Sequence, residues 1–287
     1  MAKGPSASVN LDPRITPARP DLAAAHLRGK VQAAQFVEGT IQEVIAGIAP
    51  VRDAPSHGAT QVTEALRGER VTVYETDDEG WSWGQLAGDG YVGWLPSAAL
   101  LAPDAEPTHR VTALRTFVFP GPSIKLPPTD ALPLGAQVAV AGEQDSFAVL
   151  ASGGYVPKGH LVALATHEPD FVAVAERFVG TPYLWGGKSS LGIDCSGLVQ
   201  VALAACGVPC PRDSDMQEKA LGKPTSLAGL QGGDLIFWKG HVAIARGRNS
   251  LIHANAFHMA VTIEPVADAL ARIGAAGSQV TSVRRLK

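Results

Sequence analysis

Residues 180–200 read Gly-Thr-Pro-Tyr-Leu-Trp-Gly-Gly-Lys-Ser-Ser-Leu-Gly-Ile-Asp-Cys-Ser-Gly-Leu-Val-Gln, a Gly-rich loop that runs into a helix. From Cys195 the chain continues without Pro, and its apolar residues fall at helical spacing. Asp194 fits the N-cap position, and Gly207 followed by Pro209 predicts the end of the helix. This loop-to-helix junction predicts the centre of the fold.

Cys195 is expected in the first turn of that helix. Unpaired backbone N–H groups and the positive end of the helix dipole point there. Such surroundings favour a thiolate over a thiol, and so they favour a nucleophile. A free Cys is more often a small buried apolar residue. A catalytic role for Cys195 therefore needs support from elsewhere in the chain.

Two histidines that follow on successive predicted strands give that support. Residues 232–246 read as a strand, a Lys-Gly turn and a second strand that opens with His241. A third strand carries His253, and His258 is expected to be exposed beyond the next turn. A nucleophile followed by a base and a polar orienting group is the arrangement of a Cys–His–polar triad. A structural core histidine is the alternative reading of His253.

Four motifs in this order resemble the NlpC/P60 family of papain-like cysteine peptidases over about residues 166–287. They are Tyr183 to Gly187, Asp194 to Val199, Gly233 to His241, and His253. The resemblance implies an α+β fold in which helices pack on an antiparallel sheet. It implies that Cys195 is the nucleophile, His241 the base and His253 the orienting residue. It also implies that the Tyr183 hydroxyl and the Cys195 N–H stabilise the oxyanion.

The N-terminal half predicts two small β-barrels. Residues 46–101 and 108–164 contain short strands separated by dense turns, and the pattern recurs at an offset of about 65 residues. Both copies resemble bacterial SH3-like domains. Residues 1–45 read as a Pro-rich arm and a short helix at 21–30. The predicted order is therefore arm, first SH3-like domain, second SH3-like domain and, at residues 166–287, the catalytic domain.

Members of the family with this layout resemble γ-D-glutamyl-diamino-acid endopeptidases. These cut murein peptides that begin with a free L-Ala, between D-Glu and the diamino acid, and their first SH3-like domain closes one end of the groove. The residues matched to substrate contacts are Glu64, Tyr91, Trp185, Asp194, Ser196, Asp213 and Ser214. Glu64, Tyr91 and Asp194 would form a clamp for the ammonium group, Ser196 and Ser214 would contact D-Glu with Asp213 nearby, and Trp185 would form an apolar wall.

Each of these assignments has a structural alternative. Glu64 is also explained as a turn residue, Asp194 as a helix cap, and Tyr91 as part of the barrel core. Arg212 is a weaker candidate to contact a substrate carboxylate. The clamp is implied by the resemblance and by the charges of its residues.

Composition excludes several classes of function. The net charge of −3 leaves no basic footprint, so nucleic acid is not an expected partner. The sequence has no apolar run of eighteen residues, so it predicts no membrane span. The N-terminus lacks the apolar segment of a secretory signal. Three cysteines do not make a disulfide framework, and Cys206 and Cys210 lack partners at metal-site spacing. We expect a cytoplasmic protein without cofactor or metal; the oligomeric state stays open.

Four hypotheses follow. The first is a cysteine peptidase that trims free-amino murein peptides during cell-wall recycling. The second is an exported wall hydrolase that uses its SH3-like domains as wall anchors. The third is a binding module with an inactive peptidase domain, against which the intact Cys195, His241 and His253 argue. The fourth is an acyltransferase with the same triad. The diamino acid, meso-diaminopimelate or L-Lys, is not specified by any of these motifs.

Overall fold

The computed structural model describes residues 11–286. The first half of the predicted Pro-rich arm, residues 1–10, lies outside the described residues. Within the described range, none of the helices has the length and apolarity needed to cross a membrane.

The elements are numbered in chain order. The arm and first β unit contain β1 Leu22–Ala24, β2 Gln35–Val37, β3 Thr40–Val44, β4 Ile48–Arg52, β5 Gln61–Leu66, β6 Arg70–Thr76, β7 Trp81–Leu86, β8 Val92–Pro96 and β9 Leu100–Leu101. The second β unit contains β10 His109–Val111, β11 Arg115–Val118, β12 Asp130–Pro133, β13 Gln137–Val138, β14 Val140–Gln144, β15 Phe147–Leu150, β16 Tyr155–Pro157 and β17 Leu161–Ala163. The catalytic unit contains α1 Phe171–Glu176, β18 Lys188–Ser189, β19 Gly192–Ile193, α2 Cys195–Ala205, α3 Ser214–Ala220, β20 Lys223–Thr225, β21 Asp234–Trp238, β22 His241–Ala245, β23 Ser250–Asn255, β24 Ala260–Pro265, α4 Val266–Ala275 and β25 Val280–Arg285.

The catalytic unit is an antiparallel six-stranded sheet in the order β20-β25-β21-β22-β23-β24, with α2 packed against β22 and β23. Helix α2 is buried on nearly all sides, and Leu198 and Ala202 join Ile244 and Ile252 of the sheet in one apolar core. Burial of this apolar surface is the main force that holds the helix, and hence Cys195, against the sheet. The predicted α+β class is confirmed.

Strand register brings the two histidines towards α2. The turn at Gly240, with a φ of +74°, pairs Trp238 with His241 across β21 and β22. Strand β23 then pairs with β22 through Ile244 and Ile252. His253 follows Ile252 directly and is 1% exposed. Both histidines therefore lie on central strands.

The first β unit is a seven-stranded sheet in the order β5-β4-β8-β7-β6-β3-β9. It includes Thr40–Val44, so it begins six residues before the predicted boundary at residue 46. The first two side chains of β3 are exposed. The strand therefore lacks the alternation of buried apolar and exposed polar residues by which a strand is predicted.

The second β unit, β10 to β17, is built from three small sheets. Its turns reproduce those of the first. Gly68 and Gly135 have φ values of +83° and +92°, and their N–H groups donate to the carbonyls of Val44 and Val111. A left-handed backbone at this turn favours glycine in each copy, which explains why the sequence echo is strongest there.

The predicted helix at residues 21–30 is wrong. Leu22–Ala24 is a strand that pairs in parallel with β2, and it is followed by a single 3-10 turn. All three strand residues are buried. A helix of ten residues is marginal on its own, so tertiary packing decides the conformation here. Asp21 consequently caps no helix.

The rest of the arm, residues 11–20, packs on the body. The Arg14 carbonyl accepts from Val92 N–H at 2.8 Å. Arg19 lies over the rings of Trp83 and Trp94, at 4.4 and 5.0 Å from their centroids, and forms an ion pair with Glu75. These cation–π and ionic contacts fasten the arm to the first β unit.

Candidate active site

Cys195 is the first residue of α2 and is 7% exposed. Asp194 caps the helix, since its Oδ1 accepts from Gly197 N–H at 2.7 Å. A Cβ on Gly197 would lie 2.3 Å from the Gly187 carbonyl, so the loop and the first turn of the helix meet at a position that only glycine fits. The sequence Asp-Cys-Ser-Gly thus fixes where the thiol emerges.

Asp194 is held in a buried two-point ion pair with Arg212. The guanidinium donates to Oδ1 at 2.9 Å and to Oδ2 at 2.6 Å, and Arg212 is 1% exposed. Oδ1 also accepts from Ser196 and Oδ2 from Gly186 N–H. Together with the cap, this carboxylate accepts five hydrogen bonds, and about four lone-pair sites are available. The Asp194 carboxylate is therefore fully engaged within the protein, and its place in the clamp stays a prediction.

Ser196 belongs to the same hydrogen-bond network as Asp194 and Arg212. Its hydroxyl lies 2.8 Å from Arg212 Nη1 and 3.2 Å from Asp194 Oδ1, and the residue is 6% exposed. Ser196 is thus part of the support around Cys195. Arg212 is likewise committed to Asp194, and its Nε donates to the Thr63 hydroxyl of the first β unit at 2.9 Å.

His241 and His253 are joined through their rings. His241 Nε2 lies 2.8 Å from His253 Nδ1, and the Trp238 ring lies 5.6 Å from the His241 ring. On its far side, His253 Nε2 lies 2.7 Å from Glu264 Oε1. Two of the three residues of the predicted triad are thus in direct contact.

Burial shifts the pKa values of the thiol and of both imidazoles in the direction of their neutral forms. Burial, with a further contribution from the Asp194 carboxylate, raises the pKa of Cys195 to about 12. Burial lowers the pKa of His241 and of His253 to about 3 each. The Val242 and Ser196 N–H groups favour the thiolate but do not overcome burial. The pKa of Cys195 is thus shifted away from the thiolate that the helix end favours, because desolvation outweighs the helix end.

Tyr183 and Trp185 lie on the loop before α2. Tyr183 is half-buried, and its N–H donates to the Met259 carbonyl at 2.9 Å. Burial, followed by the charge of a Cys195 thiolate, raises the pKa of the Tyr183 phenol. The hydroxyl thus stays a donor across the neutral range. The Trp185 side chain is 63% exposed and available to form a wall of a groove.

Glu64 and Tyr91 bring the first β unit into contact with the catalytic unit. Glu64 is 4% exposed, and its Oε2 accepts from Lys188 N–H at 2.9 Å. Burial raises the pKa of Glu64. The Tyr91 hydroxyl donates to Asp213 Oδ2 at 3.1 Å, across the boundary between the two units. Tyr91 also packs in the apolar core of the first β unit, and each of the two residues bonds the catalytic unit.

Asp213 and Ser214 lie at the start of α3, and both are partly exposed. Asp213 Oδ2 also accepts from Arg14 of the arm at 2.8 Å. Burial raises the pKa of Asp213, against the opposing effect of Arg212. A cation from the arm, Arg14, therefore lies beside Asp213 in addition to Arg212.

Sequence reasoning missed three supporting residues. Gln217 donates to the carbonyls of Ser196 and Pro211, both at 2.9 Å, and so ties α3 to α2. Arg212 was considered only as a substrate contact, and Glu264 was not considered. No local sequence pattern indicates these residues. They are recognised only because they lie near the triad in the folded chain.

One cluster has the residue types of a metal site. The ligand atoms of His253, His258 and Glu264 lie within 4.8 Å of one another. Glu264 is also bonded to the guanidinium of Arg272, and this positive charge disfavours a cation beside it. The contacts describe a hydrogen-bond network rather than an ion cage. Cys206 and Cys210 are free thiols.

Two segments match known families. Residues 180–272 match the NlpC/P60 family, and residues 51–100 match the bacterial dipeptidyl-peptidase SH3 domain. The chain is 44% identical over 84 residues to dipeptidyl-peptidase 6 of Lysinibacillus sphaericus, covering 29% of this chain and 31% of that protein. It is 28% identical over 236 residues to a gamma-D-glutamyl-L-lysine dipeptidyl-peptidase of Bacillus cereus, covering 71% and 70%. The first of these matches thus spans about a third of the relative.

A solved structure supports the fold over most of the chain. The crystal structure of an NlpC/P60 family protein from Bacillus cereus superimposes with a TM-score of 0.73 and 23% identity, covering 86% of this chain and 99% of that one. The arrangement of β units and catalytic unit is therefore a known fold.

Proposed function

Because the chain belongs to the NlpC/P60 family of cysteine peptidases through residues 180–272 and carries a bacterial dipeptidyl-peptidase SH3 domain at 51–100, we propose that it acts on murein peptides. The proposed reaction is hydrolysis of the bond between γ-D-Glu and a diamino acid, in peptides with a free N-terminal L-Ala. The product is L-Ala-D-Glu. The proposed setting is cell-wall recycling in the cytoplasm.

The proposed mechanism combines the Cys195 thiol with the hydrogen-bonded pair of His241 and His253. The Cys195 thiol attacks the scissile carbonyl as His241 removes its proton, and a thioester forms when the amine of the diamino acid leaves with that proton. Water then hydrolyses the thioester by the reverse transfer. Because His241 uses Nε2 to bond His253, Nδ1 is the nitrogen that serves as base. The Tyr183 hydroxyl and the Cys195 N–H are proposed as donors to the oxyanion.

The observation that carries the substrate assignment is the bond between Tyr91 and Asp213. A residue of the first β unit thereby reaches the start of α3, 18 residues along the chain from the nucleophile. A peptidase whose groove is bounded by another domain has room for a chain end but not for a continuing polymer. The name of the Bacillus cereus relative, a gamma-D-glutamyl-L-lysine dipeptidyl-peptidase, supports the same substrate class.

The proposed recognition of the amino terminus differs from the clamp expected from sequence. Asp194 supports the site through Arg212, so the ammonium is assigned to Glu64, Tyr91 and Asp213. Both Asp213 bonds found among residues 11–286 end on Oδ2, which leaves Oδ1 as an acceptor for a ligand. Ser214 is proposed to contact the D-Glu carboxylate and Trp185 to cover the peptide.

A paired digestion tests the proposal. L-Ala-γ-D-Glu-meso-diaminopimelate with a free amine, and the same peptide N-acylated, are incubated with the protein and analysed by mass spectrometry; L-Lys replaces the diamino acid in a second pair. Cys195→Ala is the control. Release of L-Ala-D-Glu from the free peptides alone is the expected result. Equal cleavage of the acylated peptides would overturn it and favour a wall hydrolase.

Two further outcomes have separate meanings. Cleavage of none of these peptides would favour a binding module. Transfer of L-Ala-D-Glu to an added amine in preference to water would favour an acyltransferase. The cytoplasmic location is tested apart from the chemistry, by fractionating cells that express the full chain.

A further inference from the structure

Glu264 is placed beside the third residue of the triad by strand register. His253 of β23 pairs with Thr262 of β24, and Glu264 lies two residues further along β24. Residues two apart on a strand share a face, so Glu264 is a diagonal neighbour of His253. The His253 side chain is fully buried and that of Glu264 is 12% exposed. The 2.7 Å contact between His253 Nε2 and Glu264 Oε1 is thus largely shielded from water.

This contact determines which nitrogen of each ring carries a proton. An ionised carboxylate only accepts hydrogen bonds, so His253 must donate from Nε2. In a neutral imidazole the other nitrogen is then an acceptor, and His253 Nδ1 accepts from His241 Nε2 at 2.8 Å. His241 Nδ1 is consequently left without a proton. Glu264, three side chains away from the thiol in this series, therefore determines that the lone pair needed by the reaction lies on His241 Nδ1.

We propose that Glu264 is a positioning residue of the catalytic machinery, which fixes the tautomers and ring orientations of both His253 and His241. The inference rests on the proposed cysteine peptidase function and extends it to a four-residue series, Cys195, His241, His253 and Glu264. Glu264 touches neither the substrate nor the thiol, and it acts through the two rings.

Charges from every packed element act on this series. Arg272 of α4 bonds Glu264 and lies over the Phe257 ring at 4.6 Å. Arg272 lowers the pKa of both histidines, His258 from the following turn lowers that of His253, and Glu264 raises that of His241. On α2, Asp194 is neutralised by Arg212. The Glu264 carboxylate is thus the anion that favours the imidazolium formed at His241 during the reaction.

Three variants test the inference. Glu264→Ala removes both the acceptor and the charge. Glu264→Gln keeps an acceptor oxygen and nearly the same shape. Glu176→Ala is the matched control, because Glu176 also pairs with an arginine, Arg246, on the surface. Thermal unfolding is measured for all three, and a chelator in every assay excludes metal effects.

The first readout is kinetic. We expect Glu264→Ala to lower kcat by about 10- to 100-fold, the size found when a carboxylate that orients a metal-bound histidine is removed, with little change in KM. Glu264→Gln should recover part of this loss. Because Glu264 raises the pKa of His241, both variants should move the acidic limb of kcat/KM to lower pH. Glu176→Ala should leave rate and profile unchanged.

The second readout needs no substrate. Nitrogen-15 spectra of the histidine side chains, in a Cys195→Ala background, report which ring nitrogens are protonated. We expect protonated Nε2 on both rings, and a mixture of tautomers after Glu264→Ala. Unchanged spectra and unchanged kcat in Glu264→Ala would overturn the inference. If the protein cleaves no murein peptide, the proposed function fails, while the spectra still decide the role of Glu264.

Discussion

The guanidinium of Arg212 donates to both carboxylate oxygens of Asp194, at 2.9 and 2.6 Å. Asp194 immediately precedes the nucleophile Cys195 in the chain. The same guanidinium donates to Thr63 of the first β unit. One buried side chain thus supports the cap of the catalytic helix and joins it to a neighbouring domain. The fixed position of Cys195 depends on this pair.

Removing one partner of that pair should be costly. Arg212→Met leaves the Asp194 carboxylate buried without its cation, and we expect a loss of about 3–5 kcal/mol of unfolding free energy. The matched control is Arg246→Met, which breaks the more exposed pair with Glu176 and should cost about 1 kcal/mol or less. Urea unfolding followed by circular dichroism measures both. Equal losses of unfolding free energy in the two variants would show that the buried Arg212–Asp194 pair stabilises the protein no more than the exposed pair does.

The two copies of the β unit provide a comparison for Tyr91. Tyr91→Phe removes the bond to Asp213 and should reduce the preference for free-amino over N-acylated peptide by about 10-fold, as expected for a hydrogen bond to a charged group. Tyr155 is the repeat equivalent and packs edge-on against Phe147, so Tyr155→Phe should leave the preference unchanged. The ratio of kcat/KM for the two peptides is the measurement. The same change in both variants would contradict a role for Tyr91 in recognition.

Protein stability should fall in acid because His253 is buried neutral. Its pKa is about 3 in the folded protein, compared with 6.5 for the free side chain. Between these values the unfolded chain binds a proton that the folded chain does not, so stability is lost as pH falls from about 6.5 towards 3. At pH 5 this contribution is about 2 kcal/mol. His253→Gln should reduce the difference in unfolding free energy between pH 7 and pH 5 by this amount, and an unaltered difference would contradict the assignment.

The neutral resting thiol can be tested by alkylation. With the pKa of Cys195 at about 12, the thiolate fraction and hence the rate with iodoacetamide should rise about tenfold per pH unit between pH 7 and 9. Modified residues are identified by mass spectrometry, which separates Cys195 from Cys206 and Cys210. A rate for Cys195 that is constant over this range would instead indicate a thiolate–imidazolium pair.

Local patterns were enough to predict the elements that carry the triad. Helix α2 has its cap, its apolar spacing and its terminal Gly207 within one stretch, and strands β21 to β24 follow from alternating apolar runs and short turns. These signals are read within about ten residues, so the elements on which Cys195, His241 and His253 lie were predictable.

The remaining features depend on partners that are distant in sequence. Nothing near Asp194 indicates that Arg212 neutralises it, and only the β23–β24 register brings Glu264 to His253. The upward shift in the pKa of Cys195 depends on its burial, which is set by the whole fold. The short helix at residues 21–30 failed for the same reason, since pairing with β2 overrides local helix propensity.

The close approach of Gly186 to the first β unit has a consequence for how the two segments evolve. A Cβ on Gly186 would lie 2.6 Å from the Gln61 carbonyl, and Lys188 N–H is bonded to Glu64 nearby. The loop before the nucleophile is therefore fitted to one particular neighbour. Domain shuffling that exchanged this β unit for an unrelated one would disturb that loop, so the two segments are expected to descend together as a single genetic module.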